Sequence, residues 1–105
     1  MVLPIFIVEH LPFFRSIVTL KSEGQKKVAL RQCTERELLA IIAVLYNLYI
    51  GNFSISKYRR NILKCHQENL AKILAKQITL DKKRSLIVNN CNCVIHAIRA
   101  LLDLE

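Results

Sequence analysis

A chain of 105 residues, about half of them apolar and with only two Gly and two Pro, is sized for one domain (1–105). It is too apolar for disorder and too poor in turn residues for a strand-dense sandwich. Sixteen Lys/Arg against eight Asp/Glu give a net charge of +8, unevenly spread: residues 1–52 carry six cations and four acids, net +2, and residues 53–105 carry ten and four, net +6. An excess of this size favours a polyanionic partner, whether nucleic acid, an anionic membrane or an acidic protein, and says nothing about fold.

The opening MVLPIFIVEHLPFF lacks a basic leader and a small-residue cleavage site, and Glu9 and His10 interrupt it, so it is expected to belong to the mature chain. Pro12, which has no N–H to give, is tolerated only near a helix start and predicts a helix from about 11 to 21. After the break at KSEG, QKKVALRQ reads as a short helix ending before Thr34. Thr34-x-x-Glu37 has the capping-box spacing, in which each residue satisfies an unpaired backbone N–H of the other. The helix it opens, ERELLAIIAVLYNLYI, is apolar nearly all round, and this predicts a central place for 35–50 in the bundle. Gly51 is its expected terminator.

Ser56 is predicted to cap a long helix from 57 to about 77, with Tyr58, Ile62, Leu63, Cys65, Leu70, Ile73 and Leu74 on its apolar half. Thr79 or Asp81 then caps DKKRSLIVNN, whose cations stand at the end of the helix that the macrodipole disfavours for them. NNCNC reads as a turn and VIHAIRALLDLE as a closing amphipathic helix. The expected fold is all-α, a compact bundle of about five helices. The longest apolar run, over 38–46, is half of what a spanning helix needs, so no integral membrane segment is expected.

Two stretches, RQCTERELLAIIAVLYNLYIGNFSIS and YRRNILKCHQENLAKILAKQITLDKKRSLIV, with HLPFFRSIV and KKVALRQ before them, carry a resemblance. Together they resemble the small basic proteins of polinton-like and adintovirus-like DNA viruses and of their integrated relatives in animal genomes. Those proteins are themselves similar to the precursor of adenovirus core protein X. The likeness covers roughly residues 10–88. It places Asn47 and Gly51 at a helix end, Ser56 at a cap, and Lys82, Lys83 and Arg84 in the basic run. It implies a virion or core component that contacts DNA, located in the host nucleus or the virion. The chain departs from the family after Val88, where a Gly-Gly pair and hydrophobic tail give way to NNCNCVIHAIRALLDLE, and a folded last helix is expected instead.

The tract from 57 to 84 holds nine of the sixteen cations and two acids, Glu68 and Asp81. Lys57, Arg60, Lys64, Lys72, Lys76, Lys82, Lys83 and Arg84 are therefore the expected phosphate contacts. Such contacts need a dense cationic surface and no base-reading geometry. The alternative for the same residues is the solvated face of an ordinary helix. Only Tyr58 interleaves the tract, which favours duplex DNA over a stacking platform for single strands, with RNA left open. DKKRSLIVNN with Asn89 or Asn90 offers a helix-turn-helix alternative.

Val94, Ile95, Ile98, Leu101 and Leu102 line one side of the last helix, either as a seam for a homodimer or a virion or host protein, or as the closing side of the core. Cys91, Cys93 and His96, with Cys65 and His66, suggest zinc, but C-x-C-x-x-H departs from the usual knuckle, and buried free thiols are the expected state, with no metal and no cofactor. Without a secretory context the thiols are expected reduced, inside the cell. The eight carboxylates form no pair at a catalytic spacing and no Gly-rich phosphate loop occurs, so no enzyme is expected. Association with anionic lipid draws on the same charges and the apolar start.

Overall fold

Residues 3–104 are described by this computed structural model, and among them eight helices and no strand occur. In chain order they are α1 (Ile5–Val8), α2 (Leu11–Val18), α3 (Glu23–Gln32), α4 (Glu35–Tyr49), α5 (Lys57–Lys64), α6 (Gln67–Ile73), α7 (Leu80–Asn89) and α8 (Cys91–Leu102). The all-α class holds. The expected count of about five is too low, because α1 adds a turn ahead of Pro12 and because the helix expected over 57–77 is two helices.

Local signals explain most boundaries. Thr34 Oγ1 accepts from Glu37 N at 3.1 Å and Glu37 Oε1 accepts from Thr34 N at 2.8 Å, completing the expected box at the start of α4. A second box starts α3 two residues earlier than expected: Ser22 Oγ accepts from Gln25 N at 3.1 Å and Gln25 Oε1 from Ser22 N at 3.3 Å. S-x-x-Q is the same signal as T-x-x-E, but the Gly at position 24 disguises it as a break.

At the far end of α4, Gly51 takes φ of 79°, where a side chain is disfavoured. Gly51 N donates to Leu48 O and Asn52 N to Asn47 O at 2.9 Å, the two bonds of a Schellman turn. The apolar contact that usually braces such a turn is replaced by Asn52 Nδ2 donating to Asn47 Oδ1 at 2.8 Å.

The division between α5 and α6 has no Gly or Pro behind it. Cys65 N and His66 N donate to Ile62 O and Leu63 O, three residues back, and His66 leaves the helical region at φ −109°, ψ 8°. Its reason is tertiary: α5 packs on α8 and buries Leu63, whereas α6 packs on α4 and α7 and buries Leu70 and Ile73. One straight rod does not serve both sets of neighbours. A second sharp corner, of 91°, lies at Asn90 between α7 and α8. There Asn90 Nδ2 donates to Leu86 O at 2.9 Å.

The centre of the bundle is α8, not the helix over 35–50. Helices α2, α3, α4, α5 and α7 all pack on α8, which buries Cys91, Cys93, Val94, Ile95, Ala97, Ile98, Ala100 and Leu101. Its alanines and cysteines let neighbouring backbones approach, and between Cys91 and Leu102 its only permanent charge is Arg99. By contrast α4 buries one side, with Leu38, Ile41, Val44 and Leu45, and leaves Leu39, Tyr46, Tyr49 and Ile50 between 38% and 52% exposed. Tyrosine keeps its hydroxyl in water at little cost, which lets an apolar-looking helix stand at the surface. The Cα radius of gyration, 12.6 Å, is what a folded chain of this length is expected to have, about 13 Å.

Candidate nucleic-acid interface

Ser56 Oγ accepts from Arg59 N at 3.2 Å, and this cap sets the phase of α5. At 100° per residue Lys57, Arg60, Asn61 and Lys64 then fall on one stripe, and all four are exposed, while Leu63 and Ile62 turn inward. Tyr58 stands beside this stripe, 68% exposed. Arg60 is steadied by Nη2 donating to Ile55 O at 3.3 Å. Arg59 points the other way: its Nε donates to Asp103 Oδ2 at 2.7 Å, an ion pair that ties α5 to the end of α8. Lys72 on α6, Lys76 in the following turn and Lys82 on α7 are also exposed. Among the described residues no acid pairs with Lys57, Arg60, Lys64, Lys72, Lys76 or Lys82.

The other two expected phosphate contacts are committed elsewhere. Lys83 Nζ donates to Ile73 O at 2.7 Å and to Ala75 O at 2.8 Å, the carbonyls left unpaired where α6 ends. Arg84 Nη1 donates to Leu30 O at 3.0 Å, Arg31 O at 3.2 Å and Cys33 O at 2.9 Å, where α3 ends, and it touches Cys33 Sγ at 3.2 Å.

Two facts account for this. In α7 the inward stripe is the half-buried Leu80 and the buried Ile87 and Val88, and positions 83 and 84 are the i+3 and i+4 members of that stripe, so their side chains turn inward. What they meet there are helix C-termini, whose carbonyls carry partial negative charge. Cations at the unfavourable end of their own helix thus serve the favourable ends of two others. Burial pulls the Lys83 ammonium below its ordinary pKa, and pushes the Cys33 thiol up despite the opposing pull of Arg84.

This arrangement also bears on the helix-turn-helix alternative. The outer face of α7 carries Asp81, Lys82, Ser85 and Asn89, one cation and one acid, and the amide of Asn90 is occupied by Leu86 O. Of the two readings of the last helix, a seam or the closing side of the core, the burial matches the second: Val94, Ile95, Ile98 and Leu101 are buried and Leu102 is half-buried, because five helices converge on α8.

The cysteines do not gather. Cys33, Cys91 and Cys93 are buried, Cys65 is exposed at the α5–α6 corner, and among the described residues no three His, Cys, Asp or Glu side chains are grouped as ligands. Burial raises the Cys91 thiol and pushes Cys93 up to about 11. His66 and His96 stack with centroids 5.8 Å apart, and His96 Nδ1 is buried without a partner among the described residues. Burial first, then the charges of His66, Arg99 and Arg59, hold His96 below the ordinary imidazole pKa. No single helix among the described residues is long and apolar enough to cross a membrane.

Sequence reasoning missed the inward turn of Lys83 and Arg84, although the i+3/i+4 spacing from Leu80 carries the signal. It also missed the Arg59–Asp103 pair, for which the sequence offers none. No protein-family model, curated protein or solved structure matches this chain.

Proposed function

We propose that the protein binds nucleic acid without sequence preference, duplex DNA above all, through the backbone phosphates, as a virion- or core-type component of the kind the resemblance implies. The observation that carries this reading is the exposed stripe of Lys57, Arg60 and Lys64 on one short helix, with no acidic partner among the described residues. Lys72, Lys76 and Lys82 extend the set. Lys83 and Arg84 are left out of it, since both side chains turn inward onto the backbone carbonyls of α6 and α3 and not toward the face of the outward cations.

Each phosphate neutralised releases condensed counterions, so the number of contacts is read from the salt dependence of affinity. Fluorescence anisotropy with a labelled duplex of random sequence is the test. Replacing Lys57, Arg60 and Lys64 together with Gln is expected to weaken binding at least 10-fold and to flatten the log–log salt slope by about 2.7. An unchanged slope in that variant would remove α5 from the interface.

A second reading, a self-associating helical module, is favoured by one observation: the outer face of α4, with Leu39, Tyr46, Tyr49 and Ile50, is apolar and exposed. Residues 38–56 contain no Lys, Arg, Asp or Glu, so a second copy would meet no like charge there. Light scattering at high salt, with Tyr46→Lys beside the native chain, tests it. A dimer lost in the variant supports the reading, and a native monomer at high protein concentration rejects it.

A further inference from the structure

A cleft of about 300 Å³ between α3 and α7 is lined by Arg31, Asp81, Arg84, Ser85, Val88 and Asn89. Every hydrogen bond that Arg84 makes among the described residues leaves from Nη1. Its Nε and Nη2 have no protein acceptor among the described residues. They also reach solvent, because the only buried side-chain nitrogen or oxygen without a partner in those residues is His96 Nδ1. The guanidinium is therefore held rigid by one corner with its other edge free. Arg31 is exposed, and among the described residues its side chain makes no hydrogen bond or ion pair. Ser85 and Asn89 lie one turn apart on the same side of α7 and are exposed. Asp81, the one acid on the rim, pairs with neither arginine.

We propose that this cleft is an oxyanion site for a phosphate group. Arg31 and the Nε–Nη2 edge of Arg84 hold the charge, Ser85 and Asn89 donate from α7, and Val88 seats the carbon stem of an ester. The planar edge of an arginine meets two oxygens of a phosphate at once, and a side chain already fixed loses little freedom on binding. The carbonyls that Arg84 satisfies lie on its Nη1 side, away from that edge. The site shares no residue with the six outward cations of the proposed duplex interface, so either can fail alone. The phosphate can come from a free phosphoester or from nucleic acid.

The test is NMR titration of the ¹⁵N-labelled full chain with inorganic phosphate, at ionic strength held constant with chloride. Saturating shifts confined to Arg31, Ser85, Asn89 and their neighbours are expected. Arg31→Gln should weaken the midpoint about 10-fold or more, and Asp81→Asn, which removes a repelling charge, should tighten it about threefold. Arg84 variants are avoided because that residue also holds α3. A duplex that displaces phosphate identifies nucleic acid as the source, and simultaneous binding of both identifies a free phosphoester. Shifts that stay linear, spread over the surface lysines, or weaken in Asp81→Asn overturn the proposal.

Discussion

Lys83 and Arg84 differ from Lys82, which directly precedes them, in what their charge meets. Lys82 ends in water, whereas the two residues after it end on the backbone carbonyls of α6 and α3. Replacing Arg84 with Met takes the guanidinium donor from Arg31 O and Cys33 O and leaves Leu30 O only the Cys33 thiol, and should lower unfolding free energy by about 2 kcal/mol, while Lys82→Met should change it by less than about 0.5 kcal/mol, both read from urea titrations.

Gly51 gives a second residue-scale prediction. At φ 79° an alanine costs about 1–2 kcal/mol through its own local backbone alone, since beyond its two chain neighbours no atom lies within 4 Å of the added carbon.

His96 gives a third. Its pKa in the folded chain lies below the unfolded value of about 6.5, so below that value the unfolded chain takes up a proton that the folded chain resists. The stability that neutral His96 contributes is complete above pH 6.5 or so and is lost as pH falls toward the folded value. Melting temperature should therefore drop on acidification from about pH 7.5 to 5.5, and His96→Gln should show a shallower drop.

At the scale of elements, the exchange of roles between α4 and α8 has a direct consequence. A charge at position 98 does not dissolve a dimer seam but enters the middle of the core, where Ile98 is fully buried among five helices. Ile98→Glu should abolish folding or cost more than about 4 kcal/mol, and Tyr46→Glu on the outer face of α4 should cost less than about 1 kcal/mol, as measured by circular dichroism against denaturant.

These elements also mark how far the sequence could be read. The starts of α4, α5 and α7 were legible because Thr34, Ser56 and Thr79 act on backbone within three residues, and so was Gly51. The break at His66 and the dominance of α8 were not legible, because both depend on which distant helices share a surface, and apolar periodicity is silent on that. α4, with two alanines and two tyrosines, and α8, with two alanines and two cysteines, look alike on a wheel. Volume decides which is surrounded.

For the whole molecule, the question is where a charge of +8 goes once the chain has folded. Folding takes Arg59, Lys83 and Arg84 out of the basic tract, through Asp103 and through backbone carbonyls. It leaves six cations of the tract outward, and those are the proposed duplex contacts. Composition alone counts all nine and so overstates the interface. The candidate site was legible as a tract and illegible as a surface, since solvated and carbonyl-bound cations have the same letters.

The most direct test of this division is the salt dependence of duplex affinity for the native chain beside the Lys83→Gln variant and the Lys57/Arg60/Lys64→Gln variant. The account predicts a native log–log slope of about −5, a slope unchanged in Lys83→Gln, and one near −2.5 in the triple variant. A native slope shallower than about −2, or a slope that falls in Lys83→Gln as much as it does per residue in the triple variant, would contradict it.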